Sequence, residues 1–91
     1  LALPESGFLP LVPDLVVEVR SKWDTWPEII VKVREYLAGG ARAVWAADPR
    51  RKVVHVFRPE GPEEQLGVGQ VLAGGDILPG LSIPVAELFD E

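Results

Sequence analysis

Residues 25–40 read Thr25-Trp-Pro-Glu-Ile-Ile-Val-Lys-Val-Arg-Glu-Tyr-Leu-Ala-Gly-Gly40, and the fold follows from this stretch. Thr25 and Glu28 have the capping-box form: the hydroxyl can accept from the third helical N–H, and the carboxylate can answer the N–H of the cap. Pro27 falls in the first turn, where its missing N–H would have had no helical partner. Trp26, Ile29, Ile30, Val33 and Leu37 recur at i, i+3, i+4, i+7 and i+11, one apolar stripe of an amphipathic helix. Gly39-Gly40 ends it. The spacing predicts a helix over 26–38.

On the N-terminal side, Asp14-Leu-Val-Val-Glu-Val-Arg20 is β-branched and bounded by Pro13 and Ser21, which predicts a strand. Leu15, Val16 and Val17 are apolar on both parities, so burial on both faces is expected, as in a parallel sheet. On the C-terminal side, Ala41 to Ala47 reads as a second strand. Asp48-Pro49-Arg50-Arg51 has the residues of a type I turn, and Lys52 to Arg58 reads as a third strand with Val53, His55 and Phe57 on one face. Strand, helix, strand implies a right-handed parallel crossover, and the third strand returns antiparallel. The expected fold class is therefore α/β: a mixed β-sheet with one main helix, β-α-β-β over 14–58. An extended lead-in (1–13) precedes it and a loop-rich segment (59–91) follows. In that segment Gln65 to Val68 reads as a weak short strand, and Ile83 to Phe89 as a short strand or a helical turn at its end. One helix covers one face of such a sheet, so the other face is expected to need a missing N-terminal half or a second copy.

Nine Lys and Arg stand against fourteen Asp and Glu, a net charge of −5. This opposes a protein that coats nucleic acid with a broad basic face, but not a nuclease whose carboxylates hold a metal. There is no cysteine, which removes disulfides, thiolate metal sites and Cys nucleophiles together. No apolar run approaches the roughly 20 residues of a membrane span, and no secretory pattern opens the chain, so the cytoplasm is the default expectation. The chain has no Met and opens Leu-Ala-Leu-Pro. It reads as the C-terminal part of something longer, being short for burying a self-sufficient core.

Asp14, Glu18 and Asp24 are the acids around the first strand. Asp14 and Glu18 share a face but lie about 13 Å apart along it, too far to grip one ion with oxygen ligands at roughly 2.0–2.6 Å. A metal at Glu18 would need a second carboxylate from a neighbouring strand. Between Val17 and Val19, Glu18 is costly to bury unless it has a partner; a salt bridge, an edge position and a metal site all satisfy that condition. Glu18 lies about 10 Å below the strand end at Ser21, and Lys32 about 10 Å down the helix axis from Thr25. The helix runs back along the sheet, so the two are level, and the Lys32 ammonium can reach inward past its own stem. Periodicity alone favours a salt bridge or an edge position for Glu18, and spacing does not decide between a structural and a catalytic pair.

Arg20 shares the face of Glu18 and can hold a phosphate, though it cannot act as a base. Arg50-Arg51-Lys52 sits on a hairpin tip, a solvated turn first and a phosphate contact second. His55, the single histidine, reads as a core or edge residue, and without a second His or any Cys a zinc site is not expected. Ser6, Ser21 and Ser82 lack a Gly-x-Ser-x-Gly setting, and no Gly-rich loop joins a strand to a helix.

Pro13-Asp-Leu-Val-Val-Glu-Val19, Lys32-Val-Arg-Glu-Tyr-Leu-Ala-Gly-Gly40, Val44-Trp-Ala-Ala-Asp-Pro49 and Val54-His-Val-Phe-Arg-Pro59, followed by Gly74-Gly-Asp-Ile-Leu-Pro-Gly80 and Pro84-Val-Ala-Glu-Leu-Phe89, form an ordered set. It resembles the C-terminal half of the Uma-two family of restriction endonucleases, in the PD-(D/E)XK nuclease superfamily. The resemblance implies a restriction-endonuclease-like core and hydrolysis of DNA phosphodiesters with Mg2+ or Mn2+. It implies Glu18 as a metal-binding carboxylate and Lys32 as the catalytic lysine carried on the helix. Arg20 stands where the superfamily usually has its lysine. The family's other metal-binding Asp lies in an earlier Pro-Asp strand, upstream of these residues, so the resemblance implies an endonuclease domain that is incomplete here. The alternative is a non-catalytic remnant that dimerises as an interaction module. The implied partners are DNA and either a second copy or the missing half.

Overall fold

A computed structural model describes residues 14–89; the expected lead-in over 1–13 lies outside the described residues. The elements are β1 (Leu15–Val19), α1 (Trp26–Ala38), β2 (Ala43–Asp48), β3 (Val53–Phe57), β4 (Glu64–Leu66), β5 (Val71–Ala73), β6 (Ser82–Pro84) and α2 (Val85–Leu88). The first four strands form one sheet in the order β1-β2-β3-β4, and β5 and β6 form a separate hairpin. β1 and β2 run parallel with Glu18 opposite Ala46, and β2 and β3 run antiparallel with Ala46 opposite His55. This is the mixed sheet with one main helix that the sequence predicts.

α1 starts where its capping box requires. The Glu28 N–H donates to Thr25 Oγ1 at 3.4 Å, and the Thr25 N–H donates to Glu28 Oε1 at 3.3 Å, an arrangement worth about 1 kcal/mol. At the other end Gly39 is still right-handed, and Gly40 takes the positive φ of 113° that turns the chain out of the helix. The buried stripe of α1, Ile29 and Val33, packs on Ala41, Val44 and Ala46, with Val16, Tyr36, Leu37 and Phe57 around it.

The opposite face corrects one expectation. It is covered in large part by the chain's own C-terminal segment: Leu72 of β5 and Val85 of α2 are buried against Trp45, Val54 and Val56. The tail expected as a short strand or a helical turn contains both in series, β6 and then α2. A tight turn holds this layer, since a Cβ on Gly74 would fall 2.3 Å from the Leu78 carbonyl oxygen. The cover stops short of the edge strand β1, because its buried side chains lie over β2 and β3. Val17 and Val19 are therefore 55% and 61% exposed, and for Val17 this is contrary to the burial expected from its apolar run with Leu15 and Val16. Together with Trp45, Ala47 and Phe89 they line an apolar groove of about 770 Å³. Among the described residues no helix is long and apolar enough to cross a membrane.

Candidate functional site

Strand alternation points Glu18 toward α1, while Val17 and Val19 face the groove side. Its neighbour across the parallel pair is Ala46, whose small side chain leaves the carboxylate room beside the helix. Two side chains of α1 meet it there. Lys32 Nζ lies 3.9 Å from Glu18 Oε2, and Tyr36 Oη donates to Glu18 Oε1 at 3.2 Å. Lys32 and Tyr36 are four residues apart and so share one face of the helix. The Glu18 side chain is 18% exposed and that of Lys32 48%. A contact this long and this wet contributes at most about 1 kcal/mol, so stability does not explain the placement of the lysine. A carboxylate has about four acceptor positions; the Tyr36 hydroxyl takes one, and the oxygen facing Lys32 keeps capacity for a further ligand.

Burial first, and the adjacent Glu18 charge second, push the Tyr36 hydroxyl above its ordinary value of 10.0. The phenol therefore remains a donor to Glu18 at neutral pH. Because the folded value is the higher one, the associated stability is fully present below pH 10 and is lost as pH rises through the folded value. Urea unfolding of the parent should show declining stability above pH 10, and Tyr36→Phe should remove that component of the decline; an identical alkaline profile in the variant would contradict the assignment.

Arg20 lies two residues beyond Glu18 and is engaged within the protein. Its Nη1 donates to Asp48 Oδ2 at 3.1 Å and its Nε to the Asp24 carbonyl at 3.3 Å. Asp48 is 2% exposed, and its other oxygen accepts the N–H groups of Arg50 and Arg51 at 3.2 and 3.5 Å. Asp24 accepts from the N–H and hydroxyl of Ser21, and these bonds, the backbone one foremost, hold its carboxyl below the usual range. His55 is buried, with Nδ1 2.6 Å from Glu63 Oε2 and its ring 4.3 Å from that of Trp26. It is a core residue, one of the two placements the sequence allows.

Strand rise keeps Asp14 about 13 Å from Glu18, and among the described residues no group of three or more His, Cys, Asp or Glu could hold a metal ion. The donor set at Glu18 nevertheless suits one side of a magnesium site, because Mg2+ is commonly held by one or two carboxylates, with waters and substrate phosphate oxygens completing the shell.

Two residues of this region escape a reading of the sequence alone. Tyr36 has a usable signal in its i+4 spacing from Lys32. Asp48 has none, because its pairing with Arg20 depends on the register of β1 and β2.

A family model described as Uma2, putative restriction endonuclease, matches residues 2–86 of this chain. No curated protein matches. Among solved structures, the crystal structure of a putative nuclease belonging to DUF820 from Anabaena variabilis ATCC 29413 is similar, with a TM-score of 0.81 at 22% identity, over 96% of this chain and 51% of that one. The chain thus spans about half the length of that neighbour.

Proposed function

The chain belongs to the Uma2 family of putative restriction endonucleases, and from this premise we propose that it carries the Glu18–Lys32 half of a metal-dependent site for hydrolysing DNA phosphodiesters. The mixed sheet with its helix is the core of the restriction-endonuclease-like fold. The observation that carries the proposal is the convergence of Lys32 and Tyr36 on Glu18. Glu18 is the residue to hold Mg2+ or Mn2+, an ion whose chemistry here is polarisation of the phosphate and activation of water. The Tyr36 hydroxyl fixes the carboxylate's orientation. Lys32, charged and partly exposed, stands where it can neutralise charge developing on the phosphate or orient the attacking water. A second carboxylate, needed for a full site, is to come from the half of the fold that the longer neighbour has in addition. A DNA substrate would place the protein in the cytoplasm.

The test is thermal unfolding of the chain and its Glu18→Ala variant across a manganese titration. At ten times the dissociation constant the parent should gain about 1.4 kcal/mol by mass action, which is roughly 6–11 °C for a domain of this size, and the variant should gain nothing. Equal shifts in both proteins, or none in either, would sink the proposal. The apolar groove beside Val17 and Val19 favours a second reading, a non-catalytic remnant that dimerises through that face. Light scattering across a wide dilution range decides it, since a monomer throughout is incompatible with that role.

A further inference from the structure

We propose that the tip formed by the loops after β1 and β2 is a binding surface for unpaired DNA, with Trp23 as its stacking platform. This deepens the nuclease reading and rests on it for the class of ligand. β1 and β2 are parallel, so the segments 20–24 and 48–52 emerge at the same end of the sheet, and the Arg20–Asp48 pair ties them together. Between them lies a concavity of about 200 Å³ lined by Arg20, Ser21, Lys22, Asp48, Pro49 and Arg50.

Arg20, Lys22, Arg50, Arg51 and Lys52 are five of the nine Lys and Arg in a chain whose net charge is −5. The two acids at this end are already committed, Asp48 to Arg20 and the turn N–H groups, and Asp24 to Ser21. Lys22, Arg50 and Arg51 are exposed, and among the described residues none of them is in an ion pair. Among these cations stands Trp23, 80% exposed, with Lys22 Nζ 4.9 Å from its ring centroid. An indole so exposed contributes little to the core. Cations that track a phosphate backbone, interleaved with an aromatic face on which a base can lie, are the two components of a single-strand site. Duplex DNA keeps its bases stacked on one another and offers Trp23 no free face, so the surface should prefer the single strand. Glu18 is two strand residues from Arg20, about 7 Å, so a strand held at the tip runs toward the candidate carboxylate.

The experiment is fluorescence anisotropy with a labelled oligothymidylate in EDTA at low salt, where no metal binds and no cleavage occurs. The parent should bind it more tightly than a duplex of equal length. Trp23→Ala should weaken binding roughly 5- to 150-fold, the range for loss of one base–aromatic stack, with an unchanged melting temperature, and Trp23→Phe should recover part of the loss. The double variant Arg50→Ala/Arg51→Ala should lower the salt slope by roughly 1.4, two phosphates' worth. Arg34→Ala/Arg42→Ala, which makes the same change in charge elsewhere, should leave the slope as it is. No binding by the parent, no preference for the single strand, equal binding by Trp23→Ala, or equal slopes in the two double variants would each overturn the proposal. None of these results bears on the Glu18-dependent response to manganese, so the nuclease reading stands or falls separately.

Discussion

Replacing Glu18 by Ala is expected to abolish the proposed Mg2+-dependent cleavage of DNA, measured on plasmid and single-stranded substrates. Glu18 is the described carboxylate that the fold sets against both a lysine and a phenol donor, and its loss removes the residue proposed to hold the ion. Lys32→Ala is expected to cost roughly 10²- to 10³-fold in rate, the usual loss for one preorganised electrostatic stabiliser. Neither change should unfold the protein. The Glu18–Lys32 contact is 3.9 Å long with the lysine half exposed, so Lys32→Ala should stay within about 1 kcal/mol of the parent, and Glu18→Ala, which also gives up the hydrogen bond from Tyr36, should lose no more than about 3 kcal/mol. This separation of activity from stability is the informative feature. A structural ion pair would show the reverse pattern, with stability falling and cleavage unchanged, and unchanged cleavage in both variants would place the chemistry elsewhere. Lys32→Arg sharpens the test, because it keeps the charge while replacing a compact ammonium by a planar fork. A role in orienting water should not survive that exchange, whereas simple charge neutralisation should survive in part.

The parts of this protein that a sequence reader can see are those fixed by local rules. The limits of α1 follow from Thr25, Glu28 and the glycines after Ala38, all within hydrogen-bonding reach of the helix itself. The level of Glu18 against Lys32 follows from two rises per residue, one for a strand and one for a helix. What stays hidden depends on pairings between distant segments. β5 is three residues long, too short for a periodicity, and its partner Ser82–Pro84 is identified only by the register of the hairpin. The same hairpin explains why the uncovered face of the sheet is smaller than expected. Leu72 and Val85, each in a short apolar run set off by turn-forming residues, become the second layer only once the tail folds back over Trp45 and Val54. Val17 shows the converse. Its apolar run suits a strand buried on both sides, but an edge strand beyond the reach of that tail leaves it in solvent.

Asp48→Ala is expected to destabilise the protein by about 3 kcal/mol, toward the lower end of the range for removing one partner of a buried ion pair, because the Arg20 side chain is itself 30% exposed and can recover some hydration. The mechanism is specific. Asp48 receives the Arg20 guanidinium on one oxygen and the N–H groups of Arg50 and Arg51 on the other, so truncation takes the partner from a cation and from two turn donors at once, and because the turn is exposed most of the cost falls on the cation. Asp48→Asn separates the two contributions: its amide oxygen can still cap the turn, but it brings no charge to Arg20, so its loss should be intermediate. Adding Arg20→Ala to Asp48→Ala should restore part of the stability, since no unpaired cation then remains, and the double-mutant cycle should be clearly non-additive. Urea unfolding of the four proteins reads all of this. Additive losses would mean that the pair is incidental and that Asp48 acts through the turn alone. If the pair does hold the two loops together, the Asp48→Ala variant should also bind single-stranded DNA more weakly while keeping every cation of the tip, because Arg50 and Arg51 would no longer be presented beside Trp23.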